Sequence, residues 1–137
     1  MKNASFSLLR YSFDKVSIDY SLKSDTELSI KFEPKGVFKQ EEDRSVFELT
    51  FVFLASDKGN TLPFINIECK AIFAFAEKIT FEEIPFYFYA NSIAILFPYV
   101  RAFVSTITLQ ANYSPFVLPT MNLSSLEEPL KKNSTAE

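Results

Sequence analysis

Through the first 76 residues, apolar and polar side chains alternate with period two, the mark of strands that bury one face. Leu28, Ile30 and Phe32 alternate with Glu27, Ser29, Lys31 and Glu33, and Pro34 is expected to close that strand. Over residues 44–56, Phe47, Leu49, Phe51, Phe53 and Ala55 share a face opposite Glu48, Thr50 and Val52. Over 62–76, Ile65, Ile67, Cys69, Ala71, Phe73 and Phe75 oppose Asn66, Glu68 and Lys70. Between these two segments, Ser56-Asp57-Lys58-Gly59-Asn60 reads as a hairpin turn with its glycine where positive φ is wanted. The opening strand, about residues 5–20, changes phase: Leu9, Tyr11 and Phe13 are odd, whereas Val16, Ile18 and Tyr20 are even, which asks for a bulge near Asp14-Lys15. Strands this long predict a tall antiparallel sheet with one wet face.

After residue 76 the period changes. Residues 77–91 form an aromatic crossover, and Ser92 to Ala111 reads as a helix with Asn91 or Ser92 as N-cap and Asn112 as a left-handed stop. One apolar stripe is Ile93, Leu96, Phe97, Val100, Val104 and Ile107; a second is Ile95, Tyr99, Ala102, Phe103 and Thr106, leaving Arg101, Ser105 and Thr108 as a narrow polar seam. Pro98 should kink this helix or mark its effective start. One sheet covers one side of such a helix, so the second stripe predicts a symmetric oligomer through Tyr99, Ala102, Phe103 and Thr106. Residues 113–122 read as an extended Pro-rich connection, 124–132 as a short helix, and 131–137 as a flexible tail. The expectation is a single α+β domain over 1–137, a four-stranded antiparallel sheet packed on a long helix plus a short C-terminal helix.

Composition then removes chemistries. There is no histidine, so no imidazole base and no zinc site of the usual Cys/His kinds. Two glycines cannot make a phosphate loop, and lone Cys69 excludes an intramolecular disulfide. A net charge of −3 has the wrong sign for a nucleic-acid binder. No cofactor or metal is expected. The N-terminus meets Arg10 and Asp14 before any apolar run accumulates, unlike a signal peptide. The uncharged stretch Ile84–Val100 is broken by Pro85, Asn91 and Pro98 and followed by Arg101, and reads as a buried soluble helix rather than a membrane span. The surplus, 16 phenylalanines and six tyrosines, is apolar surface rather than reactive groups.

The order of parts resembles the SecB export chaperones from about Phe6 to Leu130. Its most specific piece is Leu96-Phe97-Pro98-Tyr99 with Arg101, matching the family's Leu-Phe-Pro-Tyr-Ala-Arg, and Asn122-Leu123 after Pro119 echoes a Pro-x-Asn-Phe element. Val100 stands for the family's alanine and Ala102 for a glutamate, the glycine after the first helix is missing, and the tail is short. The resemblance implies an ATP-independent cytoplasmic holdase, a homotetramer built as a dimer of dimers, which holds unfolded preproteins in apolar grooves and hands them to the SecA motor. Here the client-binding candidates are Phe81, Phe86, Phe88, Phe116, Val117, Leu118 and Met121; a place in the core competes for each, most strongly for Phe86. Motor-docking acids would be Asp19 and Glu68, with Lys15 where the family carries an acid. The alternatives are a SecB-like chaperone for another client such as an antitoxin, an apolar-ligand protein or thioesterase-like enzyme, or a purely structural subunit.

Overall fold

The computed structural model describes residues 5–24, 27–58, 62–118 and 122–137, so Gly59 and Asn60 of the expected turn and Met121 of the expected client surface lie outside the described residues. Four long strands come first, β1 (Phe6–Ile18), β2 (Leu28–Gln40), β3 (Ser45–Asp57) and β4 (Ile65–Phe75). A long helix α1 (Phe86–Gln110), a short helix α2 (Glu127–Lys132) and a brief strand β5 (Ser134–Ala136) follow. The sheet order is β1-β4-β3-β2-β5, five strands rather than four, with β5 alone parallel to its neighbour.

The inner face of the sheet is the apolar parity read from the sequence: Phe47, Leu49, Phe51, Phe53, Ala55, Ile65, Ile67, Cys69, Ala71 and Phe73 are all buried. On β1 the register slips twice, between Leu8 and Arg10 and between Phe13 and Lys15. The second slip is the expected bulge. The first exchanges Leu9 for Leu8, so that Phe6, Leu8, Tyr11, Phe13, Val16 and Ile18 stand opposite the inward residues of β4.

Contrary to expectation, β2 runs on past Pro34 to Gln40. The Gly36 N–H donates to the Asn133 carbonyl (3.1 Å) and the Phe38 carbonyl accepts from the Glu137 N–H (2.9 Å), so even-numbered residues of β2 turn their backbone groups away from β3. Pro34 shares that parity, and its missing N–H costs the β2–β3 ladder nothing. The same outward groups correct the reading of 131–137 as a flexible tail. Lys131 and Lys132 complete the last turn of α2, and β5 then pairs with Gly36–Phe38. The Ser134 hydroxyl donates to the Leu130 carbonyl at 2.6 Å and holds the strand to the helix.

Helix α1 starts at Phe86 rather than Ser92. Pro85 stands at the N-cap, where no amide is needed, after a 3-10 turn over Phe81–Glu83 in which the Thr80 N–H is taken by the Glu83 carboxylate at 2.9 Å. Ser92 therefore lies buried inside the helix, its hydroxyl on the Tyr89 carbonyl (3.1 Å). Asn112, with φ at 68°, is the left-handed stop. Pro98 lies within the helix on an exposed position. By length and composition α1 is also a helix able to cross a membrane, but its first stripe, Ile93 through Val104, is packed against the sheet as in the core of a globular domain.

Gly36 is a position of close approach in the sheet. A Cβ there would clash with the Phe47 ring and come within 2.9 Å of the Ser134 hydroxyl. Phe47 is fully buried and has nowhere to move. Gly36→Ala should therefore destabilise the domain by about 1–3 kcal/mol, the usual cost of overpacking, read as a lower urea midpoint; an unchanged midpoint would contradict this packing.

Candidate client-binding surface

Half-buried rings stand at the two ends of the inner layer. At one end Phe81 packs on Phe38 (5.9 Å between centroids) and lines a cavity of about 250 Å³ with Glu82, Ile84, Tyr89, Lys131 and Ser134. At the other, Phe116 packs on Phe53 (6.0 Å) and Phe64 (6.3 Å). Phe38 pairs with Phe47, so these ends lie six residues apart on β3, about 20 Å at the rise of a strand. The expected client residues thus form two patches rather than one pocket.

The polar seam of α1 builds the second patch. The Thr108 hydroxyl, fully buried, accepts from the Phe116 N–H (2.8 Å), and the Ser105 hydroxyl donates to the Phe116 carbonyl (3.1 Å). The chain after Asn112 is thereby folded back along the helix. Tyr113 stacks on Tyr20 (3.7 Å, 13° between planes), and both line a cavity of about 390 Å³ with Lys23, Ser114, Pro115 and Phe116. Burial, and secondarily Tyr113, raises the Tyr20 phenol above its usual pKa. Val117 beside it is 60% exposed.

The remaining candidates divide. Phe86, for which a core position is the stronger sequence reading, is 73% exposed at the start of α1 beside Tyr87. Phe88 and Leu118 are corrections: both are fully buried and offer a client no surface. Phe88 is held by Phe6 (4.6 Å), Phe47 (4.9 Å) and Phe75 (5.0 Å). Tyr20 and Tyr113 were not singled out from the sequence; the aromatic immediately after a left-handed helix stop is the signal that marks Tyr113.

On the β2 edge, β5 covers Gly36–Phe38 at the Phe81 end, and α2 lies beside Phe32 and Pro34 through Pro129 and Lys132; Phe32 and Ile30 are level with the Phe116 patch or beyond it. Among the described residues, the outward backbone groups of Ile30 and Phe32 have no strand beside them. An extended chain could pair there.

The expected oligomer stripe is half covered within the chain. Phe103 stacks on Phe13 (3.9 Å, 8°) and Tyr99 leans on Tyr11 (4.5 Å). Tyr99 remains 43% and Ile95 39% exposed, and Ala102 and Thr106 face solvent. Of the two acids expected to dock a motor, Asp19 caps the 3-10 turn Tyr20–Leu22 by accepting from the Ser21 N–H at 3.1 Å. Glu68 lies on the outer face of the sheet with the Lys15 ammonium 3.9 Å away. No cluster of His, Cys, Asp or Glu able to hold a metal occurs among the described residues.

A long, mainly antiparallel sheet backed by one apolar helix, with partly exposed rings at both ends and a partly unpaired strand edge, presents apolar surface and backbone groups rather than a catalytic cluster. The SecB family model, described as preprotein translocase subunit SecB, matches residues 10–132, and the chain belongs to this family. It is 25% identical over 118 residues to the protein-export protein SecB of Magnetococcus marinus, covering 86% of this chain and 74% of that one. It is 50% identical over 48 residues to an uncharacterized protein of Methanocaldococcus jannaschii, a match spanning only 31% of that relative's length. Among solved structures, it is similar to a Mycobacterium tuberculosis SecB-like chaperone in complex with a ChAD peptide from the HigA1 antitoxin (TM-score 0.56, 18% identity, 86% of this chain and 88% of that one). It is also similar to a Streptococcus agalactiae protein of unknown function (TM-score 0.54, 9% identity, 87% and 100%).

Burial, and after it the Asp14 charge, pushes the Cys69 thiol up to about 12. The unfolded chain ionises this thiol near its ordinary pKa of about 8.5 while the folded chain does not, so stability is full below that pH and is lost as pH rises toward 12. Tyr20 and Tyr89, both raised by burial, add loss of the same sign. Urea unfolding from pH 8 to 11 should show a falling midpoint, and Cys69→Ala should make the fall shallower; an unchanged slope in that variant would contradict the assignment.

Proposed function

We propose that this chain is a cytoplasmic, ATP-independent holdase that binds unfolded preproteins and other non-native chains in extended form. The observation that carries the reading is the pair of aromatic patches about 20 Å apart along β3, with the free part of the β2 edge, Ile30 and Phe32, level with the Phe116 patch. Rings take up apolar side chains at roughly 25 cal/mol per Å² buried, and the edge binds backbone whatever the sequence. Such binding is promiscuous and needs no catalytic group. Lys23 beside the Tyr20–Tyr113 stack gives the larger patch a cation. An unstable antitoxin is a second client class, supported by the fold shared with the M. tuberculosis chaperone.

An equimolar amount of this protein should slow aggregation of a chemically unfolded client equally with and without ATP. Phe86→Ser and Val117→Ser, both at exposed positions, should each reduce that protection severalfold while leaving the circular dichroism spectrum intact. Full protection by the double variant would remove the patches from the account.

The working form is a homotetramer, a dimer of dimers, in which the exposed half of the second α1 stripe is covered by another subunit. Phe103 is a poor position to test this, because a charge there would break its stack on Phe13. Ala102→Glu and Thr106→Glu place charges at solvent-facing positions. Sedimentation velocity should show the parent as an oligomer and these variants as smaller species; a parent that is monomeric at micromolar concentration would overturn the assembly.

Delivery to the SecA motor is a second reading, supported by family membership. Glu68→Lys should then weaken binding to the motor. Motor binding that is absent in the parent would leave a chaperone with another destination.

A further inference from the structure

Among the described residues the outer face of the sheet carries no helix and holds five of the chain's eleven lysines, yet its charges do not cancel. Each of its three glutamates has a lysine at hand: Lys31–Glu33 at 2.9 Å, Lys39–Glu48 at 3.6 Å and Lys15–Glu68 at 3.9 Å. Asp14, at the β1 bulge, accepts from the Ser12 hydroxyl at 2.7 Å. Left over are Arg10, Lys70 and Lys35, for which no acidic partner occurs among the described residues.

These three form a row across the strands. Lys35 and Lys70 flank Thr50 from either side on β2 and β4. Their Cα atoms are thus two strand spacings, about 10 Å, apart. Arg10 pairs with Ile72, one diagonal step beyond Lys70. At its β2 end the row meets a cavity of about 620 Å³ at the strand edge, lined by Phe32, Pro34, Lys35, Val52, Pro129 and Lys132 among others, with Glu33 already tied to Lys31. Lys132 adds a fourth cation with no acidic partner among the described residues. The surface between is partly apolar, from half-buried Val52, Leu54 and Ile72.

We infer that this row and cavity are a docking surface for an acidic polypeptide segment of a partner protein; the row lies on the face of the sheet opposite the aromatic client patches, and the cavity opens at the β2 edge beside Phe32. A chain with a net charge of −3 that leaves uncompensated cations on one face selects partners of opposite sign there. The paired glutamates would repel a continuous polyanion such as nucleic acid, whereas a peptide can place individual carboxylates on Lys35, Lys70 and Lys132 and apolar side chains on Val52 and in the cavity. The same face would be contacted by a motor that docks through basic residues, so the two occupants predict opposite charge dependence.

Fluorescence anisotropy with three labelled probes tests this: a twelve-residue peptide alternating Glu with Leu or Ala, the same peptide with Lys for Glu, and a single-stranded oligonucleotide. The acidic peptide should bind the parent at least tenfold more tightly than the Lys peptide or the oligonucleotide at 20 mM salt, and weaken toward 150 mM. Lys35→Gln/Lys70→Gln/Lys132→Gln should lower its affinity at least tenfold, Lys58→Gln less than twofold, with protection of an unfolded client unchanged in both. Equal or tighter binding of the Lys peptide or the oligonucleotide, or undiminished binding of the acidic peptide by the triple variant, would overturn the proposal. Loss of client protection in the parent would instead count against the holdase reading alone.

Discussion

Phe88 is the point at which the two layers of this protein are joined. Its ring lies within 5.0 Å, centroid to centroid, of Phe6, Phe47 and Phe75, which belong to β1, β3 and β4, and 5.8 Å from Phe73. Truncation to alanine would remove about 3–5 kcal/mol, a large share of a small domain's stability. From this anchor α1 is laid along the sheet with Ile93, Leu96, Phe97, Val100 and Val104 inward. The geometry of the joint decides what remains outside. A helix apolar around most of its circumference can satisfy only one side against one sheet, and β1 extends that cover through Tyr11 and Phe13 only as far as Tyr99 and Phe103.

The division of labour follows from that incomplete cover. Surface left on α1 is suited to another subunit, rings at the two ends of the layer to apolar side chains, and the free part of the β2 edge to extended backbone. None of these needs a titratable group, which fits a chain without histidine. Cys69, the one thiol, is packed against the helix layer and held protonated by burial. The opposite face is a different environment, in which charge rather than apolar area determines what binds.

Much of the fold was legible because strand parity is a local signal. The alternation on β3 and β4, the bulge near Asp14 and the stop at Asn112 all appear as read. What was not legible depended on which side of a strand has a neighbour. Pro34 looks like a strand end until β2 is known to have β3 on its other side, and 131–137 looks like a tail until the free groups of Gly36 and Phe38 are present to receive it. The helix start was missed for a similar reason, since Phe86 and Tyr87 are exposed and carry no inward periodicity. Among the site residues, exposure could not be told from composition: Phe86 and Phe88, two positions apart, stand at opposite extremes of burial. The Tyr20–Tyr113 stack joins residues distant in sequence, brought together by the Thr108 and Ser105 hydrogen bonds to Phe116.

The central claim is that non-native chains lie along the inner layer, from the Phe81 patch to the Phe116 patch and the free β2 edge beside it. Amide hydrogen exchange with and without an unfolded client addresses it directly, because backbone pairing and ring contact both slow exchange where they occur. The account predicts added protection at Ile30 and Phe32, around Phe81–Tyr87 and around Tyr113–Val117, with the outer-face strand residues near Lys70 unchanged. Protection confined to the outer face, or none at the β2 edge and both patches while the client remains bound, would contradict it.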